Sequence, residues 1–181
     1  MQYVGDFEQN KYHGQGLMVD ADGSVYEGSF VNGAKTGSGK LTGRDGVEYS
    51  GQFVRNVFHG QGTVKYPNGD TYTGKLQKGS FHGHGTLTYS SGDSYAGEFV
   101  QGLYHGRGIL TLASHKKVVG VFAKGQLIPD YCILVAENQT EYKGSVNGDY
   151  LPHGKGVEIS PEGVQTEGEW VNGTKVNPVS N

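Results

Sequence analysis

Cysteine is nearly absent from this sequence of 181 residues: Cys132 is the only one, so no disulfide can form within the chain. A lone free thiol is typical of a reducing compartment. No apolar run approaches the roughly 18 residues that a membrane-spanning helix needs. The first residues, MQYVGDFEQN, also lack the apolar centre of a secretory signal. These absences predict a cytoplasmic protein, with association to the cytoskeleton or to a membrane left open.

An excess of positive charge is also absent. The chain carries 15 basic and 18 acidic residues, which gives a formal charge of −3. Proteins that bind nucleic acids present a basic face to the phosphate backbone. We therefore expect no nucleic-acid partner.

Glycine and aromatic residues are abundant instead. Glycine accounts for 32 of the 181 residues, more than twice its usual share of about 7%. Twelve tyrosines and seven phenylalanines argue against disorder, because disordered chains are poor in aromatic residues. This combination predicts an ordered fold that requires glycine at fixed positions.

A repeat of 23 residues accounts for both excesses. Tyr49, Tyr72 and Tyr95 each begin a block with the same pattern, and the blocks start 23 residues apart. We place the array at residues 3–173 and a polar tail at 174–181. The repeats run over 3–25, 26–48, 49–71, 72–94, 95–117, a degenerate 118–141, 142–165, and a half repeat at 166–173.

Each repeat contains two segments whose side chains alternate with a period of two. In the third repeat, Tyr49, Gly51 and Phe53 share one strand face, and Val64 and Tyr66 share a face on the second segment. Connectors such as PNGD and SSGD are strong turn signals between such segments. No segment has a helical period. The sequence predicts an all-β fold: an elongated, single-layer antiparallel β-meander with one hairpin per repeat.

The glycines inside the predicted strands call for a physical explanation, because glycine normally weakens a strand. They recur two residues after the tyrosine and two before the phenylalanine. We interpret each as a slot into which an aromatic ring from the adjacent strand can lie. The glycine of the His-Gly pair is expected to adopt an unusual backbone angle where the second strand opens.

The consensus Y-x-G-x-(W/F)-x-x-G-x-x-H-G-x-G, followed by a turn glycine, resembles the membrane occupation and recognition nexus (MORN) repeat. The resemblance covers nearly the whole chain, from Tyr3 to Gly173. It departs in the sixth repeat, which we expect to be a structural break, and in the preference for Phe over Trp, since Trp170 is the only tryptophan.

The resemblance implies an elongated β-sheet rod with a groove that serves as a protein-interaction scaffold. It also implies a partner associated with the cytoskeleton or with a motor protein. The alternative, which the family's name suggests, is a module that binds lipid headgroups. That function needs clustered Lys and Arg residues, whereas this sequence intersperses both signs.

A ladder of histidines occupies the same position in five repeats, at His13, His59, His82, His105 and His153. Equivalent residues of successive hairpins are two strands apart, roughly 9.6 Å. Ligands of one zinc ion lie within about 4 Å of each other. The ladder therefore cannot chelate a single ion, and we interpret it as structural.

No pattern indicates catalysis or a bound cofactor. Cys132 lies in an apolar run, Tyr131–Ala136, where burial makes a thiol inert. The Gly-x-Gly elements are not phosphate-binding loops because no helix follows them. We expect neither enzymatic activity nor a cofactor.

The aromatic face is the remaining candidate for function, since a single-layer sheet has nothing to cover its apolar side. An extended or helical partner segment, or a second copy of the chain, would lie along it. The open ends of the sheet could also support a homo-oligomer. The rings could instead be buried against one another. The predicted groove residues are Tyr26, Tyr49, Phe53, Tyr66, Tyr72, Tyr89, Tyr95 and Phe99.

Overall fold

The computed structural model describes residues 1–130 and 132–176, and every regular element in them is a β-strand. The strands, in chain order, are β1 Gln2–Glu8, β2 Lys11–Val19, β3 Val25–Val31, β4 Ala34–Thr42, β5 Glu48–Val54, β6 Val57–Lys65, β7 Thr71–Gln77, β8 Ser80–Thr88, β9 Ser94–Val100, β10 Leu103–Thr111, β11 Lys117–Ala123, β12 Gln126–Leu127, β13 Cys132–Val135, β14 Glu141–Val146, β15 Pro152–Ile159, β16 Gln165–Val171 and β17 Thr174–Val176.

The chain divides into two compact units. The first comprises Met1–Ser90 with Phe99–Gly102, and the second comprises Ser91–Glu98 with Leu103–Asn181, of which 177–181 lie outside the described residues. Within each unit the strands pair in antiparallel hairpin order. The predicted all-β meander with one hairpin per repeat is confirmed.

Two kinds of turn punctuate the meander. Within a repeat, a two-residue turn with positive φ at both positions joins the strands, as at Lys78 (51°) and Gly79 (82°). These angles match the right-handed twist of the flanking strands. Between repeats a longer turn is closed by backbone hydrogen bonds, as from Gly69 N to Tyr66 O at 3.0 Å. The glycine of the His-Gly pair has positive φ, 59° at Gly83, as the sequence predicted.

A row of glycines crosses the first unit from strand to strand. The register pairs each glycine with the next, in the order Gly5, Gly16, Gly28, Gly39, Gly51, Gly62, Gly74 and Gly85. Within most hairpins the pairing shifts immediately after the row, as between Gly74 and Leu76 in β7. Such bulges bend a strand and re-aim its side chains.

The tyrosine that begins each repeat lies flat across this glycine row. A Cβ atom built on Gly85 would come within 2.4 Å of the Tyr72 hydroxyl, and one built on Gly74 within 2.7 Å. One ring therefore fills the slots of two paired glycines, one on its own strand and one on the adjacent strand. The slot of Gly85 is filled from the adjacent strand, as predicted, whereas the slot of Gly74 is filled by a tyrosine of its own strand.

The core of the first unit is built from Tyr26, Tyr49 and Tyr72 and from the apolar residues four positions later, Phe30, Phe53 and Leu76. Tyr26 meets the rings of Phe30 and Phe53 edge to face, with centroids 5.1 and 4.9 Å apart. The tyrosine of the second repeat thus packs on the phenylalanine of its own repeat and on that of the following repeat. Edge-to-face pairs contribute about 0.5–1.5 kcal/mol beyond area burial.

The sixth repeat, in the second unit, is irregular. The first half of β11 pairs with β13 and its second half pairs with the two-residue β12. Val118 stands where other repeats have tyrosine, and Leu127 approaches the slot above Gly120. Residue 131, part of the apolar run noted in the sequence, lies outside the described residues.

Cys132 is buried, as predicted, and burial raises the pKa of its thiol. The first residues of the predicted polar tail, Thr174–Val176, form β17 against β16. Among residues 1–130 and 132–176, no helix is long and apolar enough to cross a membrane.

Candidate functional site

Six of the eight predicted groove residues lie in the core. Tyr26, Tyr49, Tyr72, Tyr95 and Phe99 have no exposed surface, and Phe53 is 2% exposed. Tyr66 and Tyr89 are half-buried. The physical reason is the glycine row, which lets each tyrosine ring lie down on the backbone where its neighbours cover it. These six rings therefore have almost no surface of their own and form a floor beneath other side chains.

The buried tyrosine hydroxyls are tied to the backbone of the bulge. Tyr72 donates a hydrogen bond of 2.7 Å to the carbonyl of Lys75, and Tyr49 donates one of 2.7 Å to the carbonyl of Gln52. Burial raises the pKa of Tyr72 to about 12, although a hydrogen bond with the His82 backbone opposes the shift. The phenols are thus neutral structural donors at physiological pH.

A second aromatic row, absent from the predicted set, covers the tyrosines. Phe58 stacks on Tyr49 with centroids 4.0 Å apart, and Phe81 stacks on Tyr72 at 3.7 Å. Both phenylalanines are half-buried, so each presents surface on the aromatic face. The sequence signal is the aromatic residue directly before four of the five His-Gly pairs, which also occurs as Tyr12 and Tyr104.

Phe58 forms one wall of an open cavity of about 600 Å³, which we name the repeat-three notch. The opposite wall is the turn that precedes β5, with Gly43, Arg44, Asp45 and Val47, and Leu41 also contributes. The preceding turn adds Asp22 and Ser24 at the rim. The notch therefore has an aromatic and aliphatic lining with a polar edge.

The repeat-four notch is the equivalent cavity 23 residues further on, with a volume of about 450 Å³. Phe81 and Leu87 line it together with Tyr66, Pro67, Asn68 and Asp70 of the turn before β7. Tyr66 is thus the predicted groove residue that reaches this cavity. Burial, followed by the nearby Asp70 carboxylate, raises the pKa of Tyr66.

In the second repeat a lysine replaces the aromatic residue. The Lys35 ammonium lies 5.2 Å from the centre of the Tyr26 ring, where Phe58 and Phe81 stack in their own repeats. It also forms an ion pair of 3.0 Å with Asp20 in the turn before β3. An ion pair therefore stands in the second repeat where the next two repeats have an aromatic ring.

Both notches carry net negative charge at the rim. Asp22, Asp45 and one cation, Arg44, line the repeat-three notch, and Asp70 lines the repeat-four notch. A hydrogen bond from the Ser24 backbone lowers the pKa of Asp22, and one from the Ser90 backbone lowers that of Asp70. These two carboxylates are therefore ionised at neutral pH, and the rims attract cations.

The histidine ladder contributes backbone atoms to the core. The hydroxyls of Tyr3, Tyr49 and Tyr95 donate to the carbonyl oxygens of His13, His59 and His105 at 3.3–3.4 Å. In the part of the chain that the structure describes, no group of three or more His, Cys, Asp or Glu side chains could hold a metal ion.

A larger cavity, of about 780 Å³, lies within the second unit. Ile133 and Val157 line it with Lys143, Lys155, Glu167 and Glu169. The alternation of the strands places these side chains opposite Tyr142 and Trp170. Its two lysines and two glutamates offset each other, so this surface carries no charge preference.

A solved structure shows the same kind of fold. The TCP domain of SAS-4 from Drosophila melanogaster, in complex with a proline-rich motif of Ana2, aligns with a TM-score of 0.58 at 10% sequence identity. The alignment covers 85% of this chain and 83% of that one. The TCP10 domain of Danio rerio CPAP, in complex with a STIL peptide, aligns over 93% of this chain and 84% of that one, at 12% identity. Its TM-score of 0.47 is too low to support an argument.

The sequence has no significant match among curated proteins. The family model described as the MORN repeat does match, at residues 3–25, 26–48, 49–71, 72–94, 95–117, 148–165 and 167–176. These segments cover well over half of the chain and include both notches. The chain therefore belongs to the MORN repeat family.

Proposed function

We propose that this protein is a non-enzymatic interaction scaffold that binds an extended or helical segment of a partner along the aromatic face of its first unit. The observation that carries the proposal is the pair of equivalent notches in consecutive repeats. Half-exposed rings in preformed cavities are the kind of anchor on which interface energy concentrates. The predicted groove tyrosines Tyr49 and Tyr72 support these anchors from below.

The structural relative supports the same function at the level of the fold. An antiparallel sheet similar to this one is bound to a peptide motif in the SAS-4 TCP domain. A shared fold alone does not establish a shared ligand, so this support concerns only the capacity of such a fold to bind a peptide. We further propose, as the family resemblance implies, that the partner is a cytoskeletal or motor-associated protein.

The charge of the notches disfavours the alternative function. Anionic lipid headgroups attract clustered Lys and Arg side chains, whereas the notch rims carry three carboxylates and one guanidinium. We therefore prefer the protein partner to the lipid headgroup.

Peptide display tests the proposal without knowledge of the partner. Random peptides are selected against the wild-type chain and against the double variant Phe58→Ser/Phe81→Ser. Peptides enriched on the wild type should fail to bind the double variant, because both anchors are gone. The control is Thr63→Ser, which keeps the hydroxyl that meets Thr73 at 3.1 Å and should retain the peptides. Enrichment that is equal on all three proteins would contradict the proposal.

We also propose self-association through β1, which is consistent with a second copy as a partner. β1 pairs with β2 along one edge, and its side chains Val4 and Phe7 are 73% and 61% exposed. An unpaired strand edge with exposed apolar side chains is a template for further pairing.

A further inference from the structure

The two notches recur at a fixed distance along the first unit. Phe58 lies on β6 and Phe81 on β8, with only β7 between them. At about 4.8 Å per strand, equivalent points of the two notches are roughly 9.6 Å apart. A segment that fills both notches in the same way must repeat its side chains at this distance.

The three regular backbone conformations differ in the distance at which side chains recur on one face. A polyproline II helix has three residues per turn and rises about 3.1 Å per residue, so residues i and i+3 face the same side about 9.3 Å apart. Side chains on one face of a β-strand recur at about 6.8 Å and about 13.6 Å. In an α-helix, residues i and i+7 are about 10.5 Å apart. The polyproline II period matches the notches most closely.

The walls of the notches suit proline. Flat aromatic surfaces recognise the rings of proline-rich segments, which lose little entropy because they are already extended. Phe58 and Phe81 are held in place by the rings stacked beneath them, with interplanar angles of 24° and 7°. The anchors are therefore ordered before a ligand arrives, which lowers the cost of binding.

The negative charge at the rims indicates that the ligand carries positive charge. Each notch carries one net negative charge, from Asp22, Asp45 and Arg44 in one case and from Asp70 in the other. In a polyproline II helix every third residue forms a separate ridge. When two ridges of proline face the rings, the third can present Lys or Arg to these carboxylates.

We propose that the repeat-three and repeat-four notches form a docking site for a proline-rich segment in the polyproline II conformation, with Lys or Arg at every third position. This inference rests on the proposed scaffold function and specifies its ligand. In the second repeat the ion pair of Lys35 and Asp20 stands in place of the aromatic anchor.

The direct test uses a fluorescein-labelled peptide of three Pro-Pro-Lys units and measures fluorescence anisotropy with the intact chain. Its all-D enantiomer has the same composition and charge but the opposite helical hand. A Pro-Pro-Glu peptide of equal length reverses the charge. We expect both controls to bind at least tenfold more weakly, and we expect binding of the Pro-Pro-Lys peptide to weaken as salt rises.

Three variants locate the site. Phe81→Ser should weaken binding at least tenfold, and Phe81→Leu, which keeps the apolar volume without the flat face, should weaken it several-fold. Asp45→Asn should weaken binding too, because it removes charge while keeping the oxygen that accepts from Val47 N at 3.1 Å. Lys35→Phe should tighten binding, since a ring on Tyr26 would open a third notch. This gain cannot arise from misfolding.

Two results would overturn the inference. Equal affinity for the L and D peptides would show that charge alone, and not the polyproline II conformation, determines binding. Unchanged affinity in both Phe81→Leu and Lys35→Phe would place the peptide elsewhere. The display experiment distinguishes failure of this inference from failure of the scaffold function. If the enriched peptides are helical and need Phe58 and Phe81 for binding, the scaffold function stands and the polyproline II ligand is wrong. If peptide binding does not depend on these two rings, both proposals are wrong.

Discussion

The ring of Phe81 lies flat on the ring of Tyr72, with centroids 3.7 Å apart and planes 7° apart. Tyr72 has no exposed surface, whereas Phe81 is half-buried. The two rings therefore have different roles: Tyr72 covers the glycine row, and Phe81 is in contact with solvent. The division makes it possible to alter the surface without destroying the core.

Replacement of the two rings should have unequal effects on stability. Tyr72→Ser removes a fully buried ring and should lower the free energy of unfolding by about 3–5 kcal/mol. Phe81→Ser removes a half-buried ring and should cost about 1 kcal/mol, since full burial of Phe is worth about 1.5–3 kcal/mol. Urea unfolding monitored by circular dichroism measures both. Similar losses for the two variants would show that Phe81 also belongs to the core.

The glycine slots can be tested with a matched pair in the seventh repeat. A Cβ atom on Gly156 would come within 2.5 Å of the Tyr142 ring and hydroxyl, whereas one on Gly148 would meet nothing within 4 Å. Gly156→Ala should therefore displace the ring and lower the free energy of unfolding by about 1–3 kcal/mol. Gly148→Ala should be close to neutral, because Ala only reduces the freedom of the unfolded chain.

Thermal unfolding of the two alanine variants, compared with the wild type, is sufficient for this test. Equal melting temperatures for Gly156→Ala and Gly148→Ala would mean that the ring moves aside at little cost, and the slot explanation would then be wrong.

The sequence was sufficient for the strand pattern and for the purpose of the glycines, because spacing alone puts Tyr72, Gly74 and Leu76 on one face. It was not sufficient to decide which rings remain exposed. Tyr72 and Phe81 are both aromatic and share a face, and exposure depends on which ring is stacked above the other. Extending the alternation backward from Gly85 through Gly83 would have brought Phe81 onto the aromatic face.

Alkaline pH should unfold the protein through its buried tyrosines. Burial raises the pKa of Tyr26 and Tyr72 to about 12, compared with about 10 for an exposed tyrosine. Between these values the folded state retains protons that the unfolded state has lost, so stability falls as pH rises. The contribution is complete below about pH 10 and is lost as pH approaches about 12.

Absorbance at the tyrosinate wavelength, followed with circular dichroism, measures this dependence. Some tyrosines should ionise only as the fold is lost. Tyr72→Phe removes one of the groups concerned and should flatten the fall of stability with pH. A single unshifted titration of all tyrosines in the folded protein would contradict the expected burial.

Association through β1 predicts a defined response to blocking its free edge. A short N-terminal extension that contains Lys and Pro should prevent strand pairing there, because proline lacks a donor and the charges resist burial. Light scattering coupled to size-exclusion chromatography should then report a smaller mass than for the wild type. An extension of Gly and Ser, equal in length, controls for added bulk.

The second variant, Phe7→Ser, removes an exposed ring from β1 and should weaken association while the hydrogen-bonding groups of the strand edge are unchanged. A mass that neither the blocked edge nor Phe7→Ser alters would exclude β1 as the site of self-association.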